Sequence, residues 1–272
     1  MIDRRTLLLM SMALLPASAS AASRRLSPSP QTFDYGPARL DIYARAGASS
    51  VPVVLFIHGG AWRAGNRTNV DVKPGFLLDN GFCFVSIDYR MLPKADVATQ
   101  ADDVEQAYRY VRANIARYGG DPNRIAVMGH SAGSHLAALT GLRGGLPGVA
   151  ALVLNDTRAY DLEALARSGG MTPAYARAFP DPAQWRALSP ATHVGSRKHP
   201  PTFIAYSRAS GRAAASRAFA ERLRATGTEV TPPFQSPAGA RLKPTTWSFR
   251  PARPARSPAR GHQPSARRPA IR

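Results

Sequence analysis

The chain has one cysteine, Cys83, in 272 residues, which excludes a disulfide framework. Its place in the apolar run Phe82–Ile87 reads as a buried core thiol. No apolar run is long enough to cross a bilayer: Leu7–Leu15 spans nine residues and is interrupted by Ser11, against about 20 needed for a membrane helix. No set of His, Cys or Asp residues clusters at ligand spacing, and no glycine-rich loop has phosphate-binding spacing, so no metal and no cofactor is implied. Nor is there an internal repeat. Acidic residues are scarce, with 17 Asp and Glu against 36 Lys and Arg, a formal charge of +19.

That imbalance is not uniform. Thr231–Arg272 holds nine Lys or Arg, nine of the 24 prolines and no Asp or Glu. Removing it leaves 19 − 9 = +10. The segment shows neither helical nor strand periodicity, so residues 231–272 read as a basic Pro/Arg-rich disordered tail. With no heptads, interleaved aromatics or zinc spacing, such a tail attracts phosphate only generally, and no specific nucleic-acid partner is expected. Its composition also matches GC-rich codons read out of frame. At the other end, Arg4-Arg5, the apolar stretch from Leu7 and the small residues Ala17–Ala21 make a secretory signal over residues 1–22, of Sec or twin-arginine type. Export to the periplasm or medium is the expectation, with the folded domain over residues 24–230.

Between those ends the chain alternates. Thr32–Tyr35 and Arg39–Tyr43 read as short strands around a Gly36-Pro37 turn. Val51–Ile57 and Phe82–Ile87 are apolar throughout, as strands covered on both faces are. Val70–Leu78 reads as a short helix. Asp96–Tyr118 is the clearest helix, with Val97, Ala101, Val104, Tyr108, Val111 and Ile115 stepping by four and three. Arg124–Met128, Val149–Leu154 and Thr202–Tyr206 are further strands, with helices expected over Ala132–Leu142 and Arg212–Ala225. Strands alternating with helices imply an α/β fold, a mostly parallel central sheet with helices on both faces.

Two motifs sit at strand ends. Gly129-His130-Ser131-Ala132-Gly133 reads G-x-S-x-G between a strand and a helix, the setting in which a tight turn presents a serine hydroxyl. His58-Gly59-Gly60-Ala61-Trp62 follows Val53–Ile57, and its glycines let backbone N–H groups approach a ligand. Each motif alone also occurs in ordinary turns. The pair, in this order and each after a strand, points to acyl transfer on Ser131.

HGGAW, the strand end SIDYR (Ser86–Arg90), GGDPNRIAVMGHSAGSHLAAL (Gly119–Leu139) and PPTFIAY (Pro200–Tyr206) resemble the α/β-hydrolase esterases and lipases with an HGG oxyanion motif, in their bacterial feruloyl-esterase-like and kynurenine-formamidase-like branch. The resemblance covers about residues 31–230. It implies Ser131 as nucleophile, an oxyanion hole from Gly59, Gly60 and the Ala132 N–H, and a small-molecule ester as substrate. An arylformamide hydrolase and a catalytically dead pseudo-hydrolase remain alternatives.

The resemblance also implies an acid after Thr202–Tyr206 and a histidine after one more strand. Ser210 stands where the acid is expected. Pro232-Pro233 would remove donors from the last strand, which is therefore expected to be missing or disrupted. If Gly239 is the family's glycine before the histidine, Leu242 stands where the imidazole belongs. His262 is the only histidine after the last clear strand and is the candidate base. Asp156, at the end of Val149–Leu154, is the candidate acid, with Asp161 second; helix capping or a surface turn is the plainer reading of both. His58 reads as a loop-orienting residue, and His130 as facing away from the hydroxyl. His135 reads as structural, with His193 and His199 as local. Trp62 suits either a pocket wall or the core.

Overall fold

The computed structural model describes residues 29–207 and 211–235. Its centre is an eight-stranded sheet in the order β1-β2-β4-β3-β5-β6-β7-β8. The strands are β1 (Gln31–Asp34), β2 (Arg39–Tyr43), β3 (Val51–Ile57), β4 (Cys83–Ile87), β5 (Gly120–His130), β6 (Ala151–Asn155), β7 (Thr202–Tyr206) and β8 (Val230–Gln235). β1 and β2 are antiparallel, β2 joins β4 antiparallel, and every pairing from β4 to β8 is parallel. This is the α/β-hydrolase fold. Parallel strands need crossovers, and the helices that make them cover both faces of the sheet.

Alternation along the strands explains why the central ones are apolar throughout. In β3, Val53, Leu55 and Ile57 join the larger core on one face, while Val54 and Phe56 join a smaller core on the other. β5 repeats this, with Ile125 and Val127 on the first face and Ala126 and Met128 on the second. The larger core is covered by α2 (Val97–Asn114), α3 (Ala132–Arg143) and α7 (Arg212–Arg224). The smaller is covered by α1 (Lys73–Asp79) through Leu77 and Leu78. The six stripe residues of α2 and its following turn are all buried. Asp96 caps this helix by accepting the Thr99 N–H at 2.8 Å, and Gly119 ends the turn at φ 79°. Among the described residues no helix is long and apolar enough to cross a membrane.

Of the expected missing or disrupted last strand, the structure shows the second: the strand is present, and its ladder is interrupted at the prolines. β8 forms at the border of the sheet and pairs with β7. Thr231 stands opposite Phe203 and Phe234 opposite Ala205, so three steps on β8 match two on β7. The proline pair lies inside this extra-residue bulge. Proline carries no N–H, and an edge strand with a bulge absorbs that loss because its ladder is needed on one side only. β8 therefore runs across residue 230, where composition places the start of the tail.

The connection from β6 to β7 carries α4 (Leu162–Arg167), α5 (Pro173–Ala178) and α6 (Trp185–Leu188), all short. Their buried residues and those that flank them, among them Phe179 and Leu188, pack into the larger core.

Candidate active site

β3 and β5 are neighbours in parallel, with Ile57 opposite Gly129. The loop after β3 and the turn after β5 therefore emerge side by side at the carboxyl edge of the sheet. Ser131 sits in that turn at φ 52° and ψ −115°, a conformation that costs a non-glycine residue on the order of 1–3 kcal/mol. The surroundings hold it there. Its N–H donates to the Asn155 carbonyl at 2.8 Å, and its carbonyl accepts from the N–H groups of Ser134 and His135.

The flanking glycines are required by close approach. A Cβ on Gly129 would overlap the Gly133 carbonyl, and one on Gly133 would overlap the Ile57 carbonyl. The turn is thus packed backbone against backbone, both on itself and on the end of β3.

Gly59 closes the arrangement from the other side. A Cβ there would stand 2.9 Å from His130 Nδ1 and 3.1 Å from Ser131 Cβ. Gly60 has φ 131°, and a Cβ on it would overlap the Ala64 carbonyl. Its own carbonyl accepts from Arg63 and Ala64, which fixes the loop as a tight turn. No described group accepts the N–H of Gly59, Gly60 or Ala132. Ala132 is the first residue of α3, where the helix itself offers no acceptor. The serine, the two loop glycines and Ala132 are brought together as the sequence implies.

His58 holds this loop. It is buried, and its Nδ1 donates to the Gly59 carbonyl at 2.7 Å. Its ring stacks on Tyr89 at 4.5 Å, and the Tyr89 hydroxyl donates to the His58 carbonyl. Burial lowers its pKa, which favours the neutral ring. The residues after β4 brace the same edge. Arg67 bridges Asp41 and Asp88, and Asp103, almost fully buried, takes the Arg90 guanidinium. In the sequence SIDYR reads only as a family signature, and nothing there marks Tyr89 and Arg67 as supports of the loop.

The other histidines separate by environment. His135 is fully buried, with Nε2 donating to the Leu188 carbonyl at 2.8 Å, and burial lowers its pKa to about 4. Trp62 and Phe179 meet it edge-on. Trp62, itself 3 % exposed, belongs to this core group. His193 bonds the Ala187 carbonyl. His199 precedes β7 and so lies at the opposite end of the sheet from Ser131. His130 is exposed and lies against Gly59. Among the described residues no side chain bonds the Ser131 hydroxyl. His262 and Ser210 lie outside the described residues, as do Gly239 and Leu242.

Asp156 follows β6 with φ 66°. Its Oδ1 accepts the Ser207 N–H at 2.7 Å. Arg212 pairs with Oδ2, and its Nη1 also donates to the Asp156 carbonyl at 2.6 Å. The carboxylate thus clamps the ends of β6 and β7 to the start of α7, one strand away from Ser131. Asp161 caps α4, accepting the Ala164 N–H, in keeping with the plainer reading. Among the described residues no group of three or more His, Cys, Asp or Glu side chains could hold a metal ion.

The chain is similar to known proteins in sequence and in fold. Residues 40–163 match the BD-FAE family. The chain is 40% identical over 103 residues to the probable isoprenylcysteine alpha-carbonyl methylesterase ICMEL1 of Oryza sativa subsp. japonica, covering 38% of this chain and 24% of that protein. It is 38% identical over 127 residues to the esterase LipQ of Mycobacterium tuberculosis, covering 44% of this chain and 30% of that one. These matches span less than a third of the curated relatives' length. Among solved structures, esterase Est2 of Thermogutta terrifontis superposes with a TM-score of 0.63 at 26% identity, over 78% of this chain and 83% of that one. The chain has the α/β-hydrolase fold of the esterase structures it superposes on, and its residues 40–163 are similar to the BD-FAE family.

Proposed function

We propose that the chain hydrolyses small carboxylic esters through an acyl-enzyme on Ser131. The observation that carries this reading is the set of N–H groups of Gly59, Gly60 and Ala132, without acceptors among the described residues, around a strained serine. In the reaction the Ser131 hydroxyl oxygen attacks the ester carbonyl carbon and gives up its proton. The carbonyl oxygen becomes an oxyanion and accepts hydrogen bonds from those N–H groups. Collapse of the tetrahedral centre breaks the bond to the alkoxy oxygen, which leaves as the alcohol after taking a proton. Water then attacks the acyl-serine carbonyl, and the acid departs with Ser131 restored. His262 is the candidate base that carries the proton, and Asp156 the candidate acid that would orient it.

The relatives named as esterases support the ester class. The Thermogutta enzyme, solved with propionate bound and also phosphorylated by paraoxon, supports a short acyl group and a nucleophile that an organophosphate can modify. Incubation with paraoxon followed by peptide mass analysis tests the nucleophile. Phosphorylation is expected on Ser131 and not Ser134, and Ser131→Ala should remove both the adduct and p-nitrophenyl acetate hydrolysis. Equal labelling of the alanine variant would overturn the assignment.

A second reading has its own observation, the absence of any described side chain bonded to the Ser131 hydroxyl. A serine without its base would keep only about 10³–10⁴-fold acceleration over water, from the oxyanion hole and binding. Slow phosphorylation of Ser131 with ester turnover that near background would favour that pseudo-hydrolase. N-formylkynurenine hydrolysed faster than p-nitrophenyl acetate would move the reading to an arylformamide hydrolase.

A further inference from the structure

Away from the serine, α4 and α7 leave a cavity of about 340 Å³ between them, within the size range of small-molecule sites. Its walls are mostly hydrocarbon: Leu165 from α4, with Ala214, Ala215, Ala218 and Phe219 from α7. Ser131 and the oxyanion loop are not part of its lining.

Two guanidiniums face this apolar space, Arg158 and Arg222, against a single carboxylate, Asp161, a balance of 2 − 1 = +1. Asp161 is already engaged, accepting the Ala164 N–H at 2.9 Å. Arg158 is the unusual member. Among the described residues it forms no ion pair, and its buried Nε has no acceptor there. The chain makes room for it: a Cβ on Gly170 would stand 2.6 Å from Arg158 Nη2, and one on Gly211 would stand 2.5 Å from its Cζ. Two glycines thus let a guanidinium lie at the wall of an apolar cavity with an N–H unmet. Holding a part-buried charge without a counter-charge is costly, and an anion in the cavity supplies that counter-charge.

We propose that this cavity binds a monocarboxylate with a compact apolar body, its carboxylate on Arg158 and its hydrocarbon between α4 and α7. A guanidinium matches the two oxygens of a carboxylate, and the alanine and phenylalanine walls favour burial of the body over a bare inorganic anion. The site does not depend on the chemistry at Ser131.

Calorimetric titration of the full chain with hexanoate, hexan-1-ol and inorganic phosphate tests it. Hexanoate is expected to saturate one site, with the alcohol and phosphate at least tenfold weaker. Arg158→Gln should raise the hexanoate Kd at least tenfold while Arg158→Lys recovers part of it. Ala215→Trp, which fills the cavity, should remove binding. Circular dichroism reports whether each variant is folded; where the tryptophan variant is not, the two Arg158 variants decide. An unchanged Kd in folded Arg158→Gln, equal affinity for the alcohol, or no saturable binding would overturn the proposal. So would hexanoate binding lost in Ser131→Trp but kept in Arg158→Gln, which would put the acid in the ester site.

Discussion

The two flanks of the nucleophile strand are built by different means. On the β3 side, position is set by backbone against backbone: Gly59, Gly129 and Gly133 touch neighbouring main chain where no Cβ fits. On the β6–β7 side, position is set by side chains, with Asp156 gripping the Ser207 N–H and Arg212. The first construction tolerates almost no change at its contact points but asks little of the residues between. The second can be rebuilt with other side chains, and the carboxylate it uses is also the candidate acid.

The sharpest way to break this comparison is Gly133→Ala. Its methyl group would enter the Ile57 carbonyl, so the turn or β3 must move. A loss of ~4 kcal/mol, at the upper end for single substitutions, is expected in urea unfolding. A loss under about 1 kcal/mol would show that the elbow is softer than its packing implies.

Next in size is the pH response of His135, which packs beneath the same elbow. Its folded pKa is about 4 against 6.5 unfolded. Between those values the unfolded chain holds the extra proton. Stability from this group is therefore complete above pH 6.5 and drains away as the pH falls towards 4, by about 3 kcal/mol in all. Unfolding curves from pH 7.5 to 4.5 should show the decline, and His135→Phe should flatten it.

Asp156→Asn and Arg212→Met sharpen the other flank. Both groups are partly solvated, so breaking the pair should cost about 1–2 kcal/mol, with screening already discounted. If Asp156 only clamps, both variants shift the urea midpoint alike and leave the ester rate per folded molecule unchanged. If it also serves as the acid, Asp156→Asn alone lowers kcat by as much as ~10⁴.

The smallest expected effect is a gain. Gly75 lies in α1, and a methyl group on its Cα would meet open space. Gly75→Ala should stabilise by about 0.5–1 kcal/mol through the unfolded chain and helix propensity. Set against Gly133→Ala, it separates glycines kept for contact from one that is not.

What can be read in the sequence follows the same division. Backbone contacts leave glycines at fixed spacing, so the elbow at Ser131 and the loop at Gly59 and Gly60 are legible, as are β3 and β7 residue for residue. The stripe on α2 is legible because burial repeats with the helical period. The Asp156–Arg212 clasp joins residues far apart in the chain, and no local pattern marks such a pair. Tyr89 and Arg67 are hidden for the same reason. β8 is legible only as missing or disrupted, because proline counts against a strand inside a sheet, whereas this strand lies at the border with a bulge to absorb it.

That border has a further consequence. Among the described residues the sheet ends at β8, and a border strand offers a template on which another chain can add. Pro232 and Pro233 give the outermost strand two consecutive positions with no N–H to donate. The local twist of a bulge also turns the ladder out of register with any straight newcomer. The same two residues that make the strand hard to foresee thus make it a poor seed for self-association.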